Sequence, residues 1–169
     1  MDVLRAALTW VETGRVYSFR EADLFGANLP GVNLGVDEYG RRRADFSNSY
    51  LATANLEGAN LRGARFTAAD LVATNLRNAD LAYADLQYAD LTGANLQEAT
   101  LTAANLDNAN LTATKLAGAT LQGAHLRNTD LRRTSGLTQE QIENTEGNRR
   151  TILPANLQVP ETWYTEDDE

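Results

Sequence analysis

Several side chains in this 169-residue sequence have types or spacings that could do chemistry. Asp70 and Asp90 are separated by four five-residue units, and any coil of that pitch would bring them together as a carboxylate pair, the raw material of general acid-base catalysis. His125 is the one histidine. Arg41, Arg42 and Arg43 are the densest basic cluster, and Tyr83 and Tyr88 are two aromatic residues in similar local contexts, residue types that anchor protein interfaces. Other chemistries are excluded outright. With no cysteine and a single histidine there is no thiolate metal site, no disulfide framework and no multi-histidine centre. No glycine-rich loop opens a helix in the manner of a phosphate cradle. No cofactor, metal or small-molecule substrate is expected.

What positions these residues is a repeat. Leucine (24) and alanine (26) dominate the apolar residues, which make up 43% of the chain. A large apolar residue recurs every fifth position from Phe46 to Leu131, giving 18 consecutive units, 16 centred on Leu and two on Phe. Two positions before each centre stands Ala in 14 units, Thr in three (Thr74, Thr114, Thr129) and Ser49 in one. The residue just before the centre is Asp or Asn in 12 of the 18, and the two positions after it vary. Four earlier units, centred on Phe19, Leu24, Leu29 and Leu34, keep the period in a different frame.

A period of five excludes the two common elements. On an α-helix each step of five positions nets about 140°, so the leucines would circle the cylinder without forming a stripe. On a straight strand, whose side chains alternate, successive leucines would point to opposite faces. Every centre can point inward only if the chain turns by about a right angle per unit, closing a square coil every four units. Phe46, Phe66, Leu86, Leu106 and Leu126 then stack as one interior column, with the small residues beside them where the cross-section narrows. Each inward Leu is worth roughly 1.5–3 kcal/mol, which suffices without staples. At about 4.8 Å per coil the 18 units make a rod of roughly 22 Å.

The run A(D/N)LXX, read at Ala54-Asn55-Leu56, Ala79-Asp80-Leu81, Ala84-Asp85-Leu86 and Ala94-Asn95-Leu96, resembles the pentapeptide repeat family. That resemblance implies an all-β fold, a right-handed quadrilateral β-helix (β-solenoid). It implies little about activity, because the family spans interaction proteins of bacteria, cyanobacteria among them, and DNA-mimicking protectors of gyrase.

The expected organisation is an N-terminal capping helix at 1–16, the β-helix at 17–134 with an insertion loop at 35–43, a C-terminal helix-and-strap cap at 135–165, and an acidic disordered tail at 166–169. The first helix is read from Leu4, Ala7, Leu8 and Val11 with Gly14 as its stop. Thr138 and Gln141 read as a capping box opening a helix over 139–145. Ile152, Leu153, Leu157 and Trp163 are the candidate anchors of the strap. Both caps answer the same need, since a solenoid exposes strand edges and open core at its ends.

Coiling every four units predicts columns on the wall: Asp45, Arg65, Asp85, Asn105 and His125; Tyr50, Asp70, Asp90, Asn110 and Asp130; Asn55, Asn75, Asn95 and Lys115; Asn60, Asp80, Thr100 and Thr120. Asn55, Asn75 and Asn95 read as an amide ladder. Asp70 and Asp90 would sit on a convex wall without a pocket, so catalysis is not expected of them. The net charge of -8 disfavours direct binding of nucleic acid or anionic membrane and makes an acidic partner the less natural expectation. Asp2, Arg5 and Glu12 interrupt the window a signal peptide needs, and no apolar run approaches about 18 residues, so the reading is a soluble cytoplasmic protein.

The function expected is a non-enzymatic scaffold for an unidentified protein partner in a bacterial cytosol, contacted through Arg41, Arg42, Arg43, Tyr83 and Tyr88. The alternative implied by the resemblance is DNA mimicry directed at gyrase or another type II topoisomerase. Duplex DNA carries a charge per roughly 1.7 Å, so a rod of this length would need on the order of 13 negative charges. Residues 44–131 hold nine acidic against five basic residues, with Arg65 interrupting one acidic column.

Overall fold

The structure is a computed structural model that describes residues 16–35 and 43–164. Each unit is built the same way. In the unit centred on Leu51, the Leu51 carbonyl accepts from Ala54 N–H at 2.9 Å, closing a β-turn, and Thr53 takes a left-handed φ of 60°, the conformation a type II turn demands at its third residue. Leu51 and Thr53 donate to Asp70 and Val72 of the following coil at 2.7 and 2.8 Å, while Asn55 donates to Ala27 of the preceding coil at 2.8 Å. Units thus pair with both neighbouring coils through parallel ladders.

These ladders define four walls. Wall one runs Asp45, Arg65, Asp85, Asn105, His125 and Glu146; wall two runs Asp23, Tyr50, Asp70, Asp90, Asn110, Asp130 and Ile152. Wall three runs Asn28, Asn55, Asn75, Asn95, Lys115 and Ser135; wall four runs Asn33, Asn60, Asp80, Thr100 and Thr120. Within the repeat each rung pairs with the rung four units on, as the period requires. The first coil steps by 27: strand β1 (Val16–Ser18) pairs in parallel with strand β2 (Arg43–Asp45), Ser18 opposite Asp45. Ala44 N–H donates to Leu34 O at 3.2 Å, so the chain leaves and rejoins the wall at neighbouring points.

The interior is a stack. Phe46, Phe66, Leu86, Leu106 and Leu126 are fully buried, and the centres of the other three walls from Leu51 to Leu131 are buried with them. Phe19, Phe46 and Phe66 lie ring on ring, with centroids 4.7 and 4.8 Å apart and planes within 8°. Where the small inward residue is Thr, its hydroxyl donates to a carbonyl of the preceding coil: Thr74 to Leu51 at 2.9 Å, Thr114 to Leu91 at 3.1 Å, Thr129 to Leu106 at 2.8 Å. No buried side-chain N or O among the described residues lacks a partner.

The C-terminal cap departs in detail from the sequence expectation. Helix α1 spans Gln139–Glu143; Thr138 Oγ1 accepts from Gln141 N–H at 3.3 Å and Thr138 N–H donates to Gln141 Oε1 at 2.7 Å. Gln141 Nε2 also donates to Leu116 O and Ala119 O at 3.1 and 2.8 Å, covering carbonyls that the last full coil would leave open. Glu146 pairs with His125, so Gly147 falls in the place of a coil centre. Trp163, 1% exposed, fills the room a Leu would have taken, and its Nε1 donates to Thr145 O at 3.0 Å. Leu153 and Leu157 pack partly buried on the core. Ile152 anchors nothing, because it occupies the outward position opposite Asp130 and is 44% exposed. The N-terminal helix, most of the insertion loop and the acidic tail lie outside the described residues.

Candidate interaction surface

The outward Asp and Asn residues have a local task. Asp70 Oδ1 accepts from Val72 N–H at 3.1 Å, Asn75 Oδ1 from Arg77 N–H at 3.3 Å, Asp80 Oδ1 from Ala82 N–H at 2.9 Å and Asn105 Oδ1 from Asp107 N–H at 3.0 Å. Each is an Asx turn holding the N–H of the first turn residue, which the coil ladders leave free. That accounts for the preference for Asp or Asn before the centres. Both members of the carboxylate pair serve such turns, Asp90 Oδ1 accepting from both Thr92 N–H and Oγ1 at 2.9 and 2.5 Å. The amide ladder is present: Asn55 donates to Asn28 at 3.0 Å, Asn75 to Asn55 at 3.1 Å and Asn95 to Asn75 at 3.4 Å. A second ladder at a corner, unforeseen in the sequence, joins Asn108, Asn128 and Asn148 at 3.1 Å per step.

His125 stands half-exposed with Nδ1 at 4.0 Å from Glu146 Oε2, which also meets Arg127 at 3.4 Å. Among the described residues no group of three or more His, Asp or Glu could hold a metal ion, and no helix is long and apolar enough to cross a membrane. Two grooves, of about 600 and 290 Å³, lie at the C-terminal end, away from Asp70 and Asp90.

Two carboxyls lie below their ordinary value of 3.8. Burial alone would raise Asp45; hydrogen bonds from Ser47 Oγ and N–H at 2.6 and 3.0 Å, with Arg20 at 3.5 Å, outweigh it. Asp130 is lowered chiefly by the hydrogen bonds of Arg132, against a smaller opposing effect of burial.

Of the five candidate contact residues, Arg41 and Arg42 lie outside the described residues. The other three lie along wall one without touching one another. Arg43, Gly63, Tyr83 and Ala103 share one corner by the register of wall one, so Arg43 stands two coils above Tyr83 on the same ridge. Tyr88 occupies the opposite corner of that wall, with Asp85 between the two rings. Both tyrosines are left-handed, φ 60°, and more than half exposed at 57% and 61%. Arg62 lies over the Tyr83 ring, Cζ 4.5 Å from the centroid. Arg62 and the exposed Arg65 were not candidates from sequence, although their one-coil relation to Tyr83 and Asp85 was available as a signal.

Pentapeptide repeats are also what known proteins show. The family profile of that description matches residues 42–78, 59–97 and 94–133, in eight copies. No curated protein matches the sequence. Among solved structures, the pentapeptide repeat protein Rfr23 of the cyanobacterium Cyanothece 51142 is 30% identical, with a TM-score of 0.62 and coverage of 89% of this chain and 99% of that one. A pentapeptide repeat protein of the Arabidopsis thaliana thylakoid lumen is 33% identical over 60% of this chain and 70% of its own, TM-score 0.46. Full-length QnrB1, a plasmid-mediated fluoroquinolone resistance protein, is 18% identical over 85% of this chain and 80% of its own, TM-score 0.50, a likeness of fold alone. From the five-residue period, the four-walled ladder and these matches together, the chain belongs to the pentapeptide repeat family and is a right-handed quadrilateral β-helix.

Proposed function

We propose that this chain is a non-enzymatic cytosolic protein-interaction module whose contact surface is wall one and its two corners. The observation that carries the reading is Arg62 over the exposed Tyr83 ring, with Arg43 in the same register two coils away and Tyr88 across the wall. Tyrosine supplies a large, amphipathic contact at low entropic cost, and Arg62 over the ring holds Tyr83 in place. Local charge, rather than the net charge of -8, sets the partner's chemistry. Arg43, Arg62 and Arg65 stand on this side against Asp85 between the rings, while Asp45 is already engaged by Arg20, which leaves the wall an excess of positive charge. The surface therefore suits an acidic protein patch with room for an aromatic ring.

Affinity capture from native lysate tests this with wild type, an Arg43→Ser/Tyr83→Ser double variant, and Gln97→Ala on the opposite wall as control. A hot-spot aromatic is worth about 2 kcal/mol or more, so wild type and the control should retain a partner that the double variant loses. Equal recovery by all three would refute the surface. Inhibition of gyrase supercoiling by the purified chain, unaffected by the double variant, would replace this reading with DNA mimicry.

A further inference from the structure

The groove of about 600 Å³ is walled by the last coil and the strap, with Arg132, Arg133, Ile152, Leu153, Pro154 and Ala155 around it. Arg132 is already engaged by Asp130. Arg133, and Arg149 and Arg150 just ahead of the rim, have no ion-pair partner among the described residues. The nearby carboxylates do not balance them. Glu146 is taken up by Arg127, Glu140 and Glu143 belong to α1, which lies over the carbonyls of Leu116 and Ala119, and between Ile152 and Tyr164 the strap carries only Glu161. The chain itself returns to this end. Trp163 is seated against Gly147, and the exposed Tyr164 ring lies 5.6 Å from Arg149 Cζ. Ile152, on the rim, is three residues from Arg149 and so at most about 10 Å away, Cα to Cα. Residues 165–169, outside the described residues, read Thr-Glu-Asp-Asp-Glu and reach up to about 17 Å when extended.

We propose that this groove holds the chain's own acidic segment 165–169, which continues the strap across the end of wall two and sets Glu166, Asp167, Asp168 and Glu169 against Arg133, Arg149 and Arg150. Length and charge select this occupant. The segment leaves the structure beside Arg149, its reach covers the rim at Ile152 and Arg133, and its four carboxylates meet three guanidinium groups that no described carboxylate engages. One exposed ion pair contributes little. Here several act together, and so short a tether keeps the segment at an effective concentration on the order of millimolar, which fills even a weak site. A docked segment draws the strap tight behind it and pins Trp163 in the core, an electrostatic latch on the C-terminal cap that salt releases. The latch stands several coils from Arg62 and Tyr83, so it is separate from the partner contact centred on them.

Methyl NMR on the full chain tests the latch. Ile142 and Ile152 are the two isoleucines and the chain has no cysteine, so Glu169→Cys carries a nitroxide at a single site. Ile142, fully buried in α1, is the internal reference for Ile152 on the rim. At low salt the nitroxide should cause a loss of the Ile152 methyl signal relative to that of Ile142. The signal should recover at about 1 M salt, where the screening length falls to about 3 Å, and in an Arg133→Glu/Arg150→Glu variant at low salt. Glu21 and Glu98 already hold the left-handed φ at positions equivalent to Arg133, and an unshifted Ile142 methyl verifies that the variant's cap is folded. A loss that persists unchanged in high salt and in the variant would be proximity without docking and would overturn the proposal, as would no loss at low salt. Loss that appears when isotope-labelled chains lacking nitroxide are mixed with nitroxide-bearing chains lacking isotope would seat the segment on a second copy, and that result overturns it too.

Discussion

Gly147 and Trp163 form a lock at the C-terminal end of the core, and a double-mutant cycle exposes it. A methyl placed on Gly147 would sit 2.5 and 2.6 Å from Trp163 Cε3 and Cε2, well inside contact distance. Gly147 is not among the left-handed glycines, so what bars a side chain there is the indole and not the backbone. Gly147→Ala should therefore act as overpacking and cost about 1–3 kcal/mol. Trp163→Ala removes a side chain 1% exposed, together with its bond to Thr145 O, and should cost about 3–5 kcal/mol. In that background the added methyl enters the vacated space, and Gly→Ala at a permitted φ stabilises by about 0.4–1 kcal/mol. The effect of Gly147→Ala thus changes sign, a coupling of about 1.4–4 kcal/mol, well above the additivity limit for independent sites. Urea unfolding of the four proteins, followed by circular dichroism with the slope checked for constancy, measures it. An equal cost of Gly147→Ala in both backgrounds would disprove the lock, as would a neutral Gly147→Ala in the otherwise intact chain.

Two further outcomes follow from the coil itself. Thr53 is β-branched yet holds φ 60°, a conformation that costs a non-glycine residue about 1–2 kcal/mol. Thr53→Gly should raise stability by about 0.5–1 kcal/mol after the entropic penalty of glycine, read as a higher melting temperature; an unchanged or lower one contradicts the assignment of strain. Asp45 is held below its ordinary value of 3.8, so its contribution is present above that pH and is lost as pH falls through the lowered folded-state value. The difference in melting temperature between wild type and Asp45→Asn should accordingly be largest near neutrality and shrink on acidification below about pH 4; a difference independent of pH would contradict it.

The repeat's local rules were legible because they are short-range. A centre every fifth position and a small residue two before it are enough to demand four walls, and the columns follow by counting. One local rule was legible and overlooked. The second position after each centre reads as variable, yet half of its occupants are Gly or Asn, the types that tolerate the left-handed φ found there. The role of Asp and Asn before the centres was harder to see, since charge on a wall and an acceptor for a turn N–H use the same residue. Distance decides between them only once the backbone is in place.

The coil follows from the order of residues alone, because a period of five admits a single way of burying every leucine. Wherever the period fails, packing in three dimensions takes over. The first coil steps by 27 instead of 20, an offset set by ladder pairing across the insertion that seats β1 on β2. After Leu131 the steps become 21 and 22, which turns Ile152 outward, leaves Gly147 at a core position and brings Trp163 back from further along the chain to fill it. Such choices depend on which backbone groups and which empty volume remain once the coils have stacked, a balance made in space and not along the chain.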